Sequence, residues 1–246
     1  MRSEEIAALV RRRMAEEILY ELQTGGGMSL GATSPTAGQQ RLLAEIRAIV
    51  DQLTAIFRRA PARAAALLPS GPLRVLDVGA GKAPWSLAIA ERHAQTRVTA
   101  VDLPDQVAVL DTAVRSRGFA DRVEVVAADV LAPGWDPGGR FHLVVIANVC
   151  HLFSARRNRE LLRRVVPVVR PGGTLAIIDQ VLDEVPDWPR WSALYMLGVL
   201  HGAPGGRLFP VRVYGEWLAE LVDWELAVHA LCPLPPLTLI AARRRT

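Results

Sequence analysis

Cysteine is nearly absent from this sequence: its 246 residues include two, Cys150 and Cys232, each inside an apolar run. That excludes a disulfide scaffold and a cysteine-rich metal site, and it reads as two reduced, buried thiols. Lysine is scarcer still. Lys82 stands alone among 29 basic residues, the rest being arginine. The arginines are scattered, with small clusters at Arg11 to Arg13 and Arg243 to Arg245, and aromatic residues make up only 6%. A net charge of +4 without clustering or interleaved aromatics makes no basic groove, so no nucleic-acid partner is expected. Long apolar runs are missing too: the best, Leu143 to Cys150, is strand-sized against the ~18–20 residues of a membrane helix. The Met-Arg-Ser-Glu-Glu start lacks the apolar core of a signal peptide. The expectation is a cytoplasmic protein without a membrane partner.

What is present suits one sizeable α/β core and an appendage: 50% hydrophobic residues, 22% charged, 19 Gly and 17 Pro. Near the N-terminus, Ile6, Val10, Met14, Ile18 and Leu22 recur every fourth residue, which predicts an amphipathic helix. Gly25-Gly26-Gly27 ends it. A second helix carries Leu42, Leu43, Ile46, Ile49, Val50, Leu53 and Phe57, and a third runs from Pro61 to Leu68. Ser70-Gly71-Pro72 marks a boundary. The expected division is a helical lid or dimerisation segment over 1–72 and a second domain over 73–246.

From Leu73 the rhythm changes. Apolar strands are predicted at Leu73 to Val78, Val98 to Val101, Val123 to Ala127, Phe141 to Ala147 and Thr174 to Ile178, with helical patterns between them. Short apolar strands with helical crossovers mean a parallel sheet covered on both faces. Two further helical patterns, Trp191 to Leu200 and Val213 to Leu221, precede strand-like runs at Trp224 to Leu231 and Leu237 to Ala242. These close the chain as an antiparallel hairpin at one sheet edge. The fold class is therefore α/β, a Rossmann-like doubly wound sheet of seven strands with the last antiparallel.

Chemistry concentrates where strand one meets a glycine turn, in Val75-Leu76-Asp77-Val78-Gly79-Ala80-Gly81. Glycines let a ligand approach the backbone, and the following helix offers free N–H groups. Asp102, at the end of strand two and 25 residues after Asp77, suits a carboxylate that accepts from ribose hydroxyls. That pair indicates a nucleoside cofactor. A dinucleotide fingerprint wants a further glycine where this chain has Pro84, and Asp77 would sit badly beside a pyrophosphate. Asp77 suits direct or water-mediated contact with an ammonium instead, and an ammonium, a ribose and no phosphate describe S-adenosylmethionine.

On these residues the stretch from Leu73 to about Ala242 resembles a class I S-adenosylmethionine-dependent methyltransferase. Within that class it is similar to small-molecule O-methyltransferases of plant and bacterial secondary metabolism, including antibiotic biosynthesis. The resemblance rests on Leu76 to Gly81, on Val101-Asp102-Leu103-Pro104, and on Asp121 to Glu124 running to Ala128-Asp129-Val130. It continues through Asn148-Val149-Cys150-His151 and Arg170 to Leu175. It implies a cofactor site of Asp77, Gly79, Gly81, Asp102, Leu103, Asp129, Val130 and Asn148, with S-adenosylhomocysteine as product and no metal. It also implies His151 as general base, with Asp179 as the acid that holds it. A phenol near pKa ~10 needs a base, and an imidazole near ~6.5 suits neutral pH.

Trp191, Tyr195, Met196 and His201 lie at helical spacings where the family forms its acceptor pocket. The implied reaction is methylation of a hydroxyl on a small aromatic or polyketide-like natural product. Alternatives are a carboxylate, carbon or nitrogen acceptor, a relative that binds the cofactor without methylating, or a nucleotide-dependent oxidoreductase. The family's Asp-Trp after the histidine is Leu152-Phe153 here, and the region before Ser70 is shorter than in plant members. A different lid follows, with a homodimer through the N-terminal helices as the candidate oligomer.

Overall fold

The computed structural model describes residues 59–182, 206–233 and 236–246. The chain divides into two compact units, Met1–Arg58 and Arg59–Thr246. The two N-terminal helices and the helix at Trp191 to Leu200 expected from sequence lie outside the described residues.

The second unit opens with helix α1 (Ala60–Leu67), followed by β1 (Arg74–Val78), α2 (Pro84–Glu91), β2 (Arg97–Asp102) and α3 (Val107–Ser116). Then come β3 (Val123–Ala127), β4 (Phe141–Ala147), a 3-10 turn at Cys150–Leu152, α4 (Ala155–Val165) and β5 (Val169–Gln180). Helix α5 (Val211–Ala219), β6 (Trp224–Pro233) and β7 (Pro236–Arg244) complete it. The seven strands lie in the order β3-β2-β1-β4-β5-β7-β6. Strands β1 to β5 pair in parallel, and β7 runs antiparallel to both β5 and β6.

Local sequence explains the layering. Strand β4 reads Phe-His-Leu-Val-Val-Ile-Ala and is buried along almost its whole length, as a central strand with helices on both faces must be. Strand alternation sends Leu76 and Val78 of β1 into one core with Leu161, Leu162 and Val165 of α4 and with Tyr214, Trp217 and Leu218 of α5. Val75 and Asp77 face the other way, where α2 packs on β1. Helix α4 begins at Ser154, whose hydroxyl accepts from the Arg157 N–H. Helix α2 starts on Pro84, whose missing N–H costs nothing at that position.

Strand β5 is longer than the sequence pattern implies. It includes Pro171-Gly172-Gly173, and its pairing with β4 shifts register between Phe141 and Leu143. A bulge absorbs what the sequence reads as a turn. The winding direction reverses between β1 and β4, which opens a crevice beyond their carboxyl ends.

Candidate functional site

A cavity of about 260 Å³ fills that crevice. Its walls come from the ends of four strands: Val78 and Gly79 after β1, Asp102 and Leu103 after β2, Ala128 to Leu131 after β3, and Asn148 and Val149 after β4. Leu152 and Phe153 of the 3-10 turn add an apolar side.

The glycine turn is tied to β2. Gly79 and Ala80 both donate to the Val101 carbonyl, at 2.9 and 3.1 Å. Asp102 receives the Gly81 N–H on Oδ2 at 2.6 Å and the Leu103 N–H on Oδ1 at 2.8 Å. Each bond uses one lone pair, so the carboxylate keeps acceptor capacity for a ligand's hydroxyls. Asp129 accepts from the Leu131 N–H at 2.8 Å, which curls the chain around the cavity's outer wall. Gly79 stands at φ +68°, and a Cβ there would come within 2.6 Å of Val149 Cγ2. Val149 is β-branched and stiff. Gly79→Ala is therefore expected to cost at least about 2 kcal/mol, from left-handed strain plus overlap. Urea unfolding checks this, and adding Val149→Ala should recover the overlap part only.

Asp77 takes a different place from the other predicted cofactor residues. It is 1% exposed, does not line the cavity, and accepts a hydrogen bond from the Ser86 hydroxyl of α2. Burial pushes its carboxyl up to about 6; Ser86 counters this, and the neighbouring Asp102 charge adds to it. The native state then holds a proton that the unfolded chain has released between about pH 4 and 6, so this group's contribution falls as pH rises through that window. By pH 7 it costs about 3 kcal/mol. Asp77→Asn removes the slope: the stability difference between wild type and variant should widen in the variant's favour from pH 4 to 7, measured by urea midpoints.

Beside the cavity, on the turn that supplies Val149, Leu152 and Phe153, stands His151. It is 6% exposed, and its Nδ1 lies 2.6 Å from Asp179 Oδ1. The His151 N–H also donates to Asp179 Oδ2 at 3.0 Å, and the Gln180 N–H to Oδ1 at 2.8 Å. Asp179 is 1% exposed. A carboxylate only accepts, so in this contact the imidazole donates from Nδ1. Behind the pair, Cys150 and Tyr214 are held protonated; burial raises both, and the Asp179 charge adds to each. The chain leaves β5 at Leu182, whose N–H donates to the Phe209 carbonyl at 3.1 Å, and Arg207 donates to the His151 carbonyl at 2.9 Å.

The structure thus brings Gly79, Asp102, Leu103, Asp129, Val130 and Asn148 to one cavity, with Gly81 as a donor to Asp102. Trp191, Tyr195, Met196 and His201 lie outside the described residues. Sequence reasoning missed Ser86, Gln106, Leu131, Val149, Leu152 and Phe153. For Ser86 the available signal was a lone hydroxyl in an otherwise apolar helix, Trp85 to Ala90.

With this strand order and β7 reversed, the chain shares the fold of solved methyltransferase structures. Residues 75–173 match the family model described as a methyltransferase domain. The chain is 28% identical over 152 residues to the 3-hydroxy-5-methyl-1-naphthoate 3-O-methyltransferase of Streptomyces sahachiroi, covering 61% of this chain and 43% of that protein. It is 24% identical over 154 residues to the L-tyrosine C(3)-methyltransferase of Streptomyces lavendulae, covering 61% and 41%. The match therefore spans less than half the length of these curated relatives. An O-methyltransferase family protein from Burkholderia thailandensis superposes with a TM-score of 0.67 at 20% identity, over 96% of this chain and 70% of that one. Human N-acetylserotonin methyltransferase, solved with S-adenosylmethionine, gives 0.63 at 21% identity, over 80% and 54%. At these identities the likeness is one of fold. Among the described residues no helix is long and apolar enough to cross a membrane.

Proposed function

We propose that this chain transfers a methyl group from S-adenosylmethionine to a hydroxyl of a small aromatic or polyketide-like natural product. The observation that carries the reading is the pairing of two features at one crevice: a glycine-turn cavity edged by acids, and the buried His151–Asp179 pair beside it. The residues fit the cofactor. Gly79 presents bare backbone to the cavity, Asp102 retains acceptor capacity for ribose hydroxyls, and Leu103, Val130 and Leu131 offer apolar surface to a base. Asp77 and Asp102 together place negative potential under the turn, which favours a cationic ligand and opposes a pyrophosphate.

When bound, the cofactor supplies an electrophilic methyl carbon. In this reading His151 Nε2 would take the proton of the acceptor hydroxyl as that oxygen becomes the nucleophile toward the methyl carbon, the cofactor's sulfur being the group that would leave. Asp179 fixes the ring through Nδ1 and stabilises the imidazolium that forms. Walls that hold the oxygen in line with the methyl carbon contribute the rest. The O-methyltransferase relative favours an oxygen acceptor, and the tyrosine C(3)-methyltransferase relative favours carbon as the second reading. In both readings the active form is a cytoplasmic protein, with a homodimer through the N-terminal helices as the candidate assembly.

Calorimetric titration with S-adenosylhomocysteine, and with NAD in parallel, is the test. Micromolar affinity for the former, about −8 kcal/mol, with no heat from NAD supports the reading. The reverse pattern returns the fold to the oxidoreductases.

A further inference from the structure

The segment that carries His151 is short and irregular, so its geometry has to be imposed from outside. It follows Asn148, which lies in the left-handed region at φ +56°, and makes a single 3-10 turn over Cys150–Leu152. Its internal bonds are Leu152 N–H to the Val149 carbonyl at 3.0 Å and Phe153 N–H to the Cys150 carbonyl at 3.2 Å. One such turn has little stability of its own.

Asn158, on α4, reaches back over it. The Asn158 amide nitrogen donates to the Cys150 carbonyl at 2.9 Å and to the Phe153 carbonyl at 3.3 Å. Those two carbonyls bracket His151. Asn158 is 1% exposed and shares the buried stripe of α4 with Leu161, Leu162 and Val165. Burying an amide in such a stripe is costly unless its groups are paired, so an aliphatic residue would serve better if packing were the only demand. Its Oδ1 has no partner among the described residues, so the donating half is the part the fold uses.

We propose that Asn158 is a positioning residue for His151, one amide tying Cys150 to Phe153 and so fixing the arc that presents the imidazole to Asp179. The catalytic consequence rests on the reading of His151 as base. Asp179 holds the middle of the arc through the His151 N–H and ring, and Asn158 holds its two ends. Without the Asn158 donor the ends are released, and the 2.6 Å contact between ring and carboxylate loosens with them.

Two measurements on the full chain decide this. The first is the low-field proton signal of the His151 Nδ1–H bonded to Asp179, assigned by its disappearance in His151→Gln. The second is hydrogen exchange at the Leu152 and Phe153 amides, with Val144 and Ile146 of β4 as internal reference. Asn158→Ala is expected to abolish or broaden the signal and to speed exchange at Leu152 and Phe153 by at least about tenfold. The β4 amides should stay within about threefold. Asn158→Asp, which keeps the volume but replaces the donor by an acceptor, should do the same. An unchanged signal with unchanged exchange overturns the proposal. So does uniform acceleration across the sheet, or loss of folding in both variants, since either assigns Asn158 to the general core. A His151→Ala protein that methylates as fast as wild type would remove the base reading alone, and the proton signal would still decide the positioning role.

Discussion

Replacing His151 by alanine is expected to slow methyl transfer by about 10²- to 10⁴-fold, the range general-base catalysis contributes. The affinity for S-adenosylhomocysteine should stay close to wild type, because the side chain does not line the cofactor cavity. The variant's pH profile should separate base loss from misfolding. With no imidazole to accept the proton, the rate should climb with pH until the acceptor itself ionises, near ~10 for a phenol. Asp179→Asn should fall between the two proteins, since Nδ1 loses the charge that steadies the imidazolium while Nε2 is retained. Single-turnover rates with a naphthol-type acceptor measure all three. An undiminished rate in His151→Ala would shift the reaction to an acceptor that carries its own nucleophilic lone pair, such as a carboxylate or amine.

Asp102→Ala should weaken S-adenosylhomocysteine binding by about 100-fold, or about 2.7 kcal/mol. Two losses combine. The ligand's ribose loses charge-assisted hydrogen bonds worth about 1.5–3 kcal/mol, and the Gly81 N–H loses the acceptor that holds the glycine turn. Asp102→Asn separates them: the amide oxygen continues to accept from one backbone donor, so the turn should persist while the charge-assisted part is lost. Calorimetry on the three proteins at one ionic strength gives the partition. A change below about threefold in Asp102→Ala would place the ribose elsewhere in the crevice.

Much of this architecture is legible from residue pattern alone. Strands β3 and β4 fall where Val123 to Ala127 and Phe141 to Ala147 place them, because short, largely β-branched apolar runs, broken only by Glu124 and His142 and bounded by polar turns, have few other ways to fold. Strand β5 is the instructive exception. Pro171-Gly172-Gly173 carries every local mark of a turn, and only pairing with β4 through a register shift keeps it within the strand. The proximity of His151 and Asp179 is invisible to local pattern. It depends on the register that sets Ala147 opposite Ile178, a property of two strands at once. Asp77 shows the reverse case. Its motif points to the cofactor, while the period-two alternation of β1 already puts it on the opposite face from Val78, which lines the cavity. Parity, read first, would have directed attention to Ser86.

The two hydrogen bonds that join Leu182 to Phe209 and Arg207 to His151 have a consequence for how much change the fold can absorb. They hold Leu182 and Arg207 like the two halves of a clasp, Arg207 on the carbonyl of His151 itself. Whatever sequence lies between the clasped ends can be exchanged or lengthened while the sheet and the ring keep their places, since doubling a loop adds only about 0.6 kcal/mol of closure entropy. Exchanging the stretch between Leu182 and Arg207 for that of a relative, with both clasps kept, is therefore expected to leave the urea midpoint of the sheet nearly unchanged.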